Sequence, residues 1–146
     1  MGTVKADKYF DLNALPYPME SNSAEEILMD NVLEHLGDIP KIMEELHRIL
    51  CPQGVLKIFV PYGKTDWALQ DPTHTHFFTE RSLDYFVEGH PFSFYSNARF
   101  QLVKAELRGD AFTLRHRVRN LLPFKSILKY FFWNIYDAVY FELRKP

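Results

Sequence analysis

From Glu25 to Tyr62 the chain reads EEILMDNVLEHLGDIPKIMEELHRILCPQGVLKIFVPY, and few architectures accept that order. A short apolar run, Ile27-Leu28-Met29, ends in Asp30-Asn31. Ile39, Ile42, Met43, Leu46, Ile49 and Leu50 then recur at spacings of three and four, which places them on one face of a helix. Asp38 can cap that helix, and Pro40 is tolerated in its first turn, where the amide it lacks would be unpaired. Cys51-Pro52-Gln53-Gly54 predicts a stop with turn chemistry. Val55–Val60 is β-branched and apolar and is closed by Pro61, the pattern of a strand. Strand, helix and strand with joints this short make a βαβ unit, hence parallel strands and a right-handed crossover. Ligands of such sheets bind outside the carboxyl ends of the strands. Those ends carry Asp30, Asn31, Glu34 and His35 after the first strand, and Tyr62, Gly63 and Lys64 after the second.

With 146 residues, 47% of them apolar, the chain has material for one core, so residues 1–146 are read as a single domain. The net charge of -2 gives no argument for nucleic acid as a partner. The charges are unevenly spread: acids dominate residues 1–50, and bases dominate residues 99–129. One cysteine, Cys51, cannot form an internal disulfide, which fits a reducing compartment such as the cytoplasm. No stretch reads as a signal peptide or as an apolar span of about 18 residues.

Residues 1–8 read as a polar start and Tyr9–Leu12 as a short strand. Asn13–Pro18 should be extended, because each proline disfavours helix in the residue before it. Glu20–Ala24 is a polar turn. After Val60 a long irregular stretch, PYGKTDWALQDPTHTHFF, is dense in aromatics and histidines. Thr79 can cap a short helix using Leu83, Tyr85, Phe86 and Val87, ended by Gly89-His90-Pro91. Alternation over Phe100–Leu107 predicts a strand. Residues 108–120 are basic and ambiguous, Leu121–Tyr136 reads as helical after Pro123, and Val139–Leu143 as a final strand.

LNALPYPMESNSAEEILMDNVLEHL, a helix, and then LHRILCPQGVLKIFVPY resemble the second half of a class I S-adenosylmethionine-dependent methyltransferase of the small-molecule type, over roughly residues 9–64. The phrase VLEHL after an apolar strand, followed by LHRILCPQGVL where the family has a Leu-Lys-Pro-Gly-Gly type turn, carries the likeness. It implies an α/β, Rossmann-like sheet, mainly parallel with an antiparallel C-terminal element. It implies S-adenosylmethionine as cofactor, with Asp11 and Leu12 beside the adenine and Asn31 beside the methionyl part. It also implies a small-molecule or sugar-like acceptor, with His35, His74 and His76 facing the methyl-transfer pocket and Tyr62 and Trp67 lining it. A neutral histidine there could take the acceptor's proton. The family's glycine-rich cofactor loop has no counterpart here. The six glycines, Gly2, Gly37, Gly54, Gly63, Gly89 and Gly109, include no Gly-x-Gly. The strand at Ile27–Asp30 should therefore have an open edge, to be covered by a homodimer or a partner chain. A non-catalytic remnant serving as a binding or assembly module is the alternative.

Two further patterns carry chemistry of their own. Asp71-Pro72-Thr73-His74-Thr75-His76 can bind a divalent metal through His74 and His76 if His35, His47 or His90 comes close; packing beside Phe77 and Phe78 is the other reading. Arg115, Arg117 and Arg119, followed by Leu121-Leu122-Pro123-Phe124 and Tyr130-Phe131-Phe132-Trp133, suit a membrane surface or a lipid-linked acceptor. Core aromatics with solvated arginines would give the same letters.

Overall fold

The computed structural model describes residues 7–109 and 114–146, so residues 1–6 of the expected polar start and 110–113 of the basic stretch lie outside the described residues. In chain order the elements are β1 (Ala24–Asp30), α1 (Ile39–Ile49), β2 (Leu50–Pro61), α2 (Asp66–Gln70), β3 (Gln101–Arg108), α3 (Leu114–Asn120), α4 (Lys125–Phe131) and β4 (Ala138–Arg144). The strands form one sheet in the order β1-β2-β4-β3. The α/β class holds. β1 runs parallel to β2, as the βαβ reading requires, while β4 runs antiparallel to both β2 and β3. The antiparallel C-terminal element is thus the larger part of the sheet among the described strands.

Helix α1 begins where the Asp38 carboxylate accepts a hydrogen bond from the Lys41 amide at 3.1 Å, with Pro40 in the first turn. Its predicted apolar face, Ile39, Ile42, Met43, Leu46 and Ile49, is buried. Each such side chain contributes about 1.5–3 kcal/mol by leaving water. The Lys145 ammonium donates to the His47 and Leu50 carbonyls at 2.8 Å each, placing a cation at the helix C-terminus.

Cys51–Gly54 does not interrupt the sheet. β2 runs through it from Leu50, and the register steps from Ala24↔Leu50 to Glu26↔Val55, a bulge. Hydrogen bonds keep the bulge on the ladder: the Gln53 amide donates to the Lys145 carbonyl and the Lys145 amide to the Gly54 carbonyl, each at 3.0 Å. Gln53 adopts φ 68°, and a Cβ on Gly54 would meet the Cys51 carbonyl oxygen at 2.8 Å and the Glu25 carbonyl oxygen at 3.1 Å.

One sheet face is dry: Met29, Leu56, Ile58, Val60, Val139, Phe141 and Leu143 are buried in one core with the apolar face of α1. The loop between α2 and β3 adds Phe78, Leu83, Phe86 and Phe100 to that core. The opposite face carries Leu28, Lys57, Phe59, Tyr140 and Glu142 and is half-exposed or exposed. Only a sheet covered by helices on both sides would be apolar on both.

Several local expectations are corrected. Tyr9–Leu12 is irregular: Asp11 folds it into a turn by accepting from the Asn13 amide at 2.8 Å. The stretch after Val60 contains α2, capped by the Thr65 hydroxyl. Thr79 opens a series of turns and one 3-10 turn at Asp84–Phe86 in place of an α-helix. The helix after Pro123 is the short α4, which ends at Phe131. Tyr130, Phe131, Phe132 and Trp133 are all more than half exposed, so the core reading of these aromatics does not hold. Arg119 is bonded to Asp137, Arg117 is exposed, and the side chain of Arg115 lies outside what is described.

The bulge supplies a test. Gly54→Ala should lower stability by about 1–3 kcal/mol, because the new methyl meets backbone oxygens that are fixed by the ladder. Urea midpoints of the two proteins measure this, and equal midpoints would mean that the bulge relaxes freely.

Candidate functional site

The chain leaves β1 through Asn31, whose amide still donates to the Phe59 carbonyl at 2.8 Å. Asn31 sits in the left-handed region, φ 53°, which asparagine tolerates better than most residues. Its side-chain amide donates to Asp30 Oδ1 at 2.8 Å, while its own Oδ1 is buried with no hydrogen-bond partner among the described residues. A 3-10 turn, Leu33–His35, follows. The segment after α2 straps across this turn: the Thr75 and His76 amides donate to the Glu34 carbonyl at 2.8 and 3.2 Å, and the Thr75 hydroxyl reaches the Leu36 carbonyl at 3.0 Å. The strap covers Glu34, which is 1% exposed.

The hydrogen bonds fix the tautomers of the histidines around it. His74 Nδ1 faces the Ala68 carbonyl at 2.7 Å; a carbonyl only accepts, so Nδ1 carries the proton and neutral His74 has its lone pair on Nε2. The Thr73 hydroxyl donates to Asp71 Oδ1 at 2.6 Å, so it accepts from His35 Nδ1 at 3.0 Å and leaves the lone pair of His35 on Nε2 as well. Those Thr73 bonds also hold the Asp71 carboxyl below the ordinary carboxylate range. The His35 and His74 rings meet edge to face at 4.7 Å. His74 Nε2 lies 4.0 Å from Glu34 Oε1 and 3.9 Å from Asp71 Oδ2.

Neither Glu34 oxygen has a hydrogen-bond partner among the described residues. Burial pushes its carboxyl above the ordinary carboxylate range against smaller opposite pulls from its own backbone amide and from His35 and His74, and Asp30 adds the smallest rise. One ligating atom from each of Glu34, His35 and His74 lies within 4.8 Å of the others. Two imidazole nitrogens and a carboxylate are a donor set that suits zinc.

The sequence-derived site residues divide. His35 and His74 come together, and Asn31 stands at the carboxyl end of β1, where its side chain is bonded to Asp30. His76 does not join them: its Nε2 donates to the Gly37 carbonyl at 2.8 Å, and it lines a separate hollow with Phe78 and Tyr85. The strap is extended here, yet His74 and His76 turn to different partners because α2 offers a carbonyl to one and the loop before α1 offers one to the other. His47, bonded to the Arg99 carbonyl, and His90, which accepts from the Phe92 amide, are held elsewhere. Leu12 lines an apolar groove of about 360 Å³ with Phe10, Ile27 and Val32, beside the open side of β1, while Asp11 closes its own turn. Tyr62 is buried in the core, where its hydroxyl is pushed up by burial and then by Glu80. Trp67 lies 6.4 Å from Phe59. The group that the site-residue reading missed is Glu34. It stands at the predicted carboxyl edge, but only the strap makes it buried.

The family described as methyltransferase domain matches residues 3–58. No curated protein matches the chain in sequence. Solved structures share the fold. A complex of the Haloferax volcanii Trm112 methyltransferase activator and a methyltransferase aligns with TM-score 0.60 at 13% identity, covering 98% of this chain and 64% of that one. An S-adenosylmethionine-dependent methyltransferase from Archaeoglobus fulgidus gives 0.54 at 18% identity, covering 87% and 62%. One from Mesorhizobium loti gives 0.56 at 12%, covering 93% and 67%. The chain thus spans less than two thirds of the first two. The resemblance to class I methyltransferases read from the sequence stands, in sequence over residues 3–58 and in fold over nearly the whole chain.

Glu34 makes the site pH-sensitive. Its folded carboxyl is raised above the unfolded value of about 4.5, so its contribution is fully present below that value and is lost as pH rises through the folded one. Between about pH 5 and about pH 8 the native protein should therefore lose stability relative to Glu34→Gln, whose amide does not titrate. Urea midpoints at the two pH values read the difference; a constant or opposite difference would show that Glu34 is not held neutral by burial.

Proposed function

We propose that this chain forms the acceptor side of an S-adenosylmethionine-dependent methyltransferase acting on a small-molecule or sugar-like acceptor. One observation carries the reading: Glu34, His35 and His74 meet just after Asn31 at the carboxyl end of β1, and the buried Asn31 Oδ1 and Glu34 carboxyl have no hydrogen-bond partner among the described residues. An orphaned acceptor there fits a ligand that brings donors, as the amino group of the cofactor would. When bound, S-adenosylmethionine supplies a methyl group on a sulfonium centre. Asn31 Oδ1 would accept from the cofactor's amino group, Leu12 would give the adenine an apolar wall, and an Asp11 oxygen would accept from the adenine amine. His74 takes the acceptor's proton on Nε2, with Ala68 fixing its tautomer and Glu34 beside the imidazolium that forms. His35, with its lone pair also on Nε2, is a further proton acceptor beside it, and Trp67 is a wall of the acceptor pocket. The chemistry asks mainly for alignment, which a strapped strand end supplies.

The open side of β1 is part of this reading. Covering it takes a second copy or a partner chain, and a methyltransferase of this fold found with an activator protein is in keeping with that. The single cysteine fits the cytoplasm.

Residues 1–146 alone should bind S-adenosylmethionine weakly or not at all in calorimetry, since they contain no Gly-x-Gly loop for close backbone approach. At high cofactor concentration, amide shifts should concentrate at Leu12, Asn31 and His35. Shifts confined to other residues would sink the assignment, and a micromolar constant would mean that another backbone nest replaces the loop. Light scattering over a dilution series tests the homodimer.

A second reading rests on the 4.8 Å convergence of Glu34, His35 and His74, which replaces the His74 and His76 pair as a metal site. It expects about one equivalent of zinc in purified protein, lost in His74→Ala. Elemental analysis finding no metal would retire it.

A further inference from the structure

We propose that the insertion between β3 and β4 is a docking surface for an anionic lipid bilayer. In α3, Leu114, Val118 and the following Leu121 recur at one-turn spacing, and all three are more than half exposed, Leu121 at 82%. Phe124 and Phe131, flanking α4, are each 75% exposed. Apolar exposure this concentrated on one insertion marks a surface that meets something other than water.

Charge narrows the choice. The insertion, residues 109–137, holds five Arg or Lys against two acids, Asp110 and Asp137, in a chain whose net charge is -2. Arg119 is paired with Asp137 and Lys129 with Glu80. Lys125 donates to the Asn120 side-chain oxygen at 3.0 Å and lies over the Tyr136 ring, with Arg119 and Asp137 also within electrostatic reach. A surplus of positive charge beside large apolar side chains complements anionic headgroups over acyl chains. Tyr130 and Trp133, both more than half exposed, are the residue types that settle at a headgroup boundary.

The insertion is built to lie on a bilayer rather than cross it. α3 and α4 have seven residues each, and no helix among the described residues is long and apolar enough to span a membrane. It is also fixed to the sheet. The Asp137 amide donates to the Arg108 carbonyl at 2.8 Å, the Lys64 ammonium donates to the Lys129 carbonyl at 2.6 Å, and the Asn134 amide donates to the Lys64 carbonyl at 3.0 Å. The exposed side chains are thus held beside the chain that leaves the carboxyl end of β2. This inference stands on the insertion alone and does not depend on the methyl-transfer reading.

Sedimentation of the full chain with vesicles tests it. Vesicles of phosphatidylcholine with phosphatidylglycerol should carry the protein down, pure phosphatidylcholine vesicles should carry much less, and added salt should reduce binding. Trp133 emission should shift to the blue on binding, and the shift should disappear in Trp133→Phe. Leu121→Asp with Phe131→Asp should weaken binding by about tenfold or more; both positions are exposed, and the milder pair Leu121→Ser with Phe131→Ser should weaken it in the same direction. Absence of binding by the native chain to anionic vesicles overturns the proposal, whatever the variants do. So does equal binding by the variants, or a concentration-dependent dimer that the variants dissolve while vesicles bind neither protein, which would make the face an interface between copies.

Discussion

The structure hangs on β2, which is hydrogen-bonded along both sides. Its parallel ladder to β1 and its antiparallel ladder to β4 fix the order of the whole sheet. Leu56, Ile58 and Val60 on one of its faces are fully buried and form the floor on which α1 and the long loop rest. A one-residue slip would turn this floor toward the half-exposed face. The bulge at Cys51–Gly54 absorbs a local mismatch near the start of the strand, and Lys145 ties that end both to the helix C-terminus and to the ladder.

The polar cluster depends on β2 at one remove. Asn31 is held by Phe59 of β2, and the 3-10 turn beyond it is held by the strap that returns from α2. Covering Glu34 without giving either oxygen a partner costs free energy, and the backbone bonds of the strap offset it. Buried titratable groups left in this condition cluster where a ligand supplies the missing partner. The two histidines beside Glu34 have their protons directed away from it, by Ala68 in one case and by Thr73 in the other, so both present lone pairs on the remaining nitrogen.

Two surfaces remain uncovered, and for different reasons. The outer side of β1 is an unpaired strand edge among the described residues, where Leu28 is 63% exposed, beside an apolar groove of about 360 Å³. The α3–α4 insertion exposes whole side chains, not backbone, so its complement is apolar and fluid rather than a hydrogen-bonding ladder.

What the sequence determined by itself was everything with a period. The three-and-four spacing of Ile39 to Ile49, with Asp38 and Pro40 ahead of it, located α1, and the apolar runs at Ile27–Met29, Val55–Val60 and Val139–Leu143 located three strands, because burial on one face imposes repetition that can be read residue by residue. VLEHL at the end of the first strand marked the site's place by its resemblance to a known family. Tertiary structure alone decided what depends on contacts between distant segments. Cys51–Gly54 has turn letters, but hydrogen bonds from Lys145 keep it in the sheet. His74 and His76 stand two residues apart, yet the carbonyls of Ala68 and Gly37 separate them and make Glu34 and His35 the neighbours of His74. Whether Phe131 and Trp133 lie in a core or face outward depends on whether the sheet leaves room for them, and no local pattern of aromatic and basic residues carries that information.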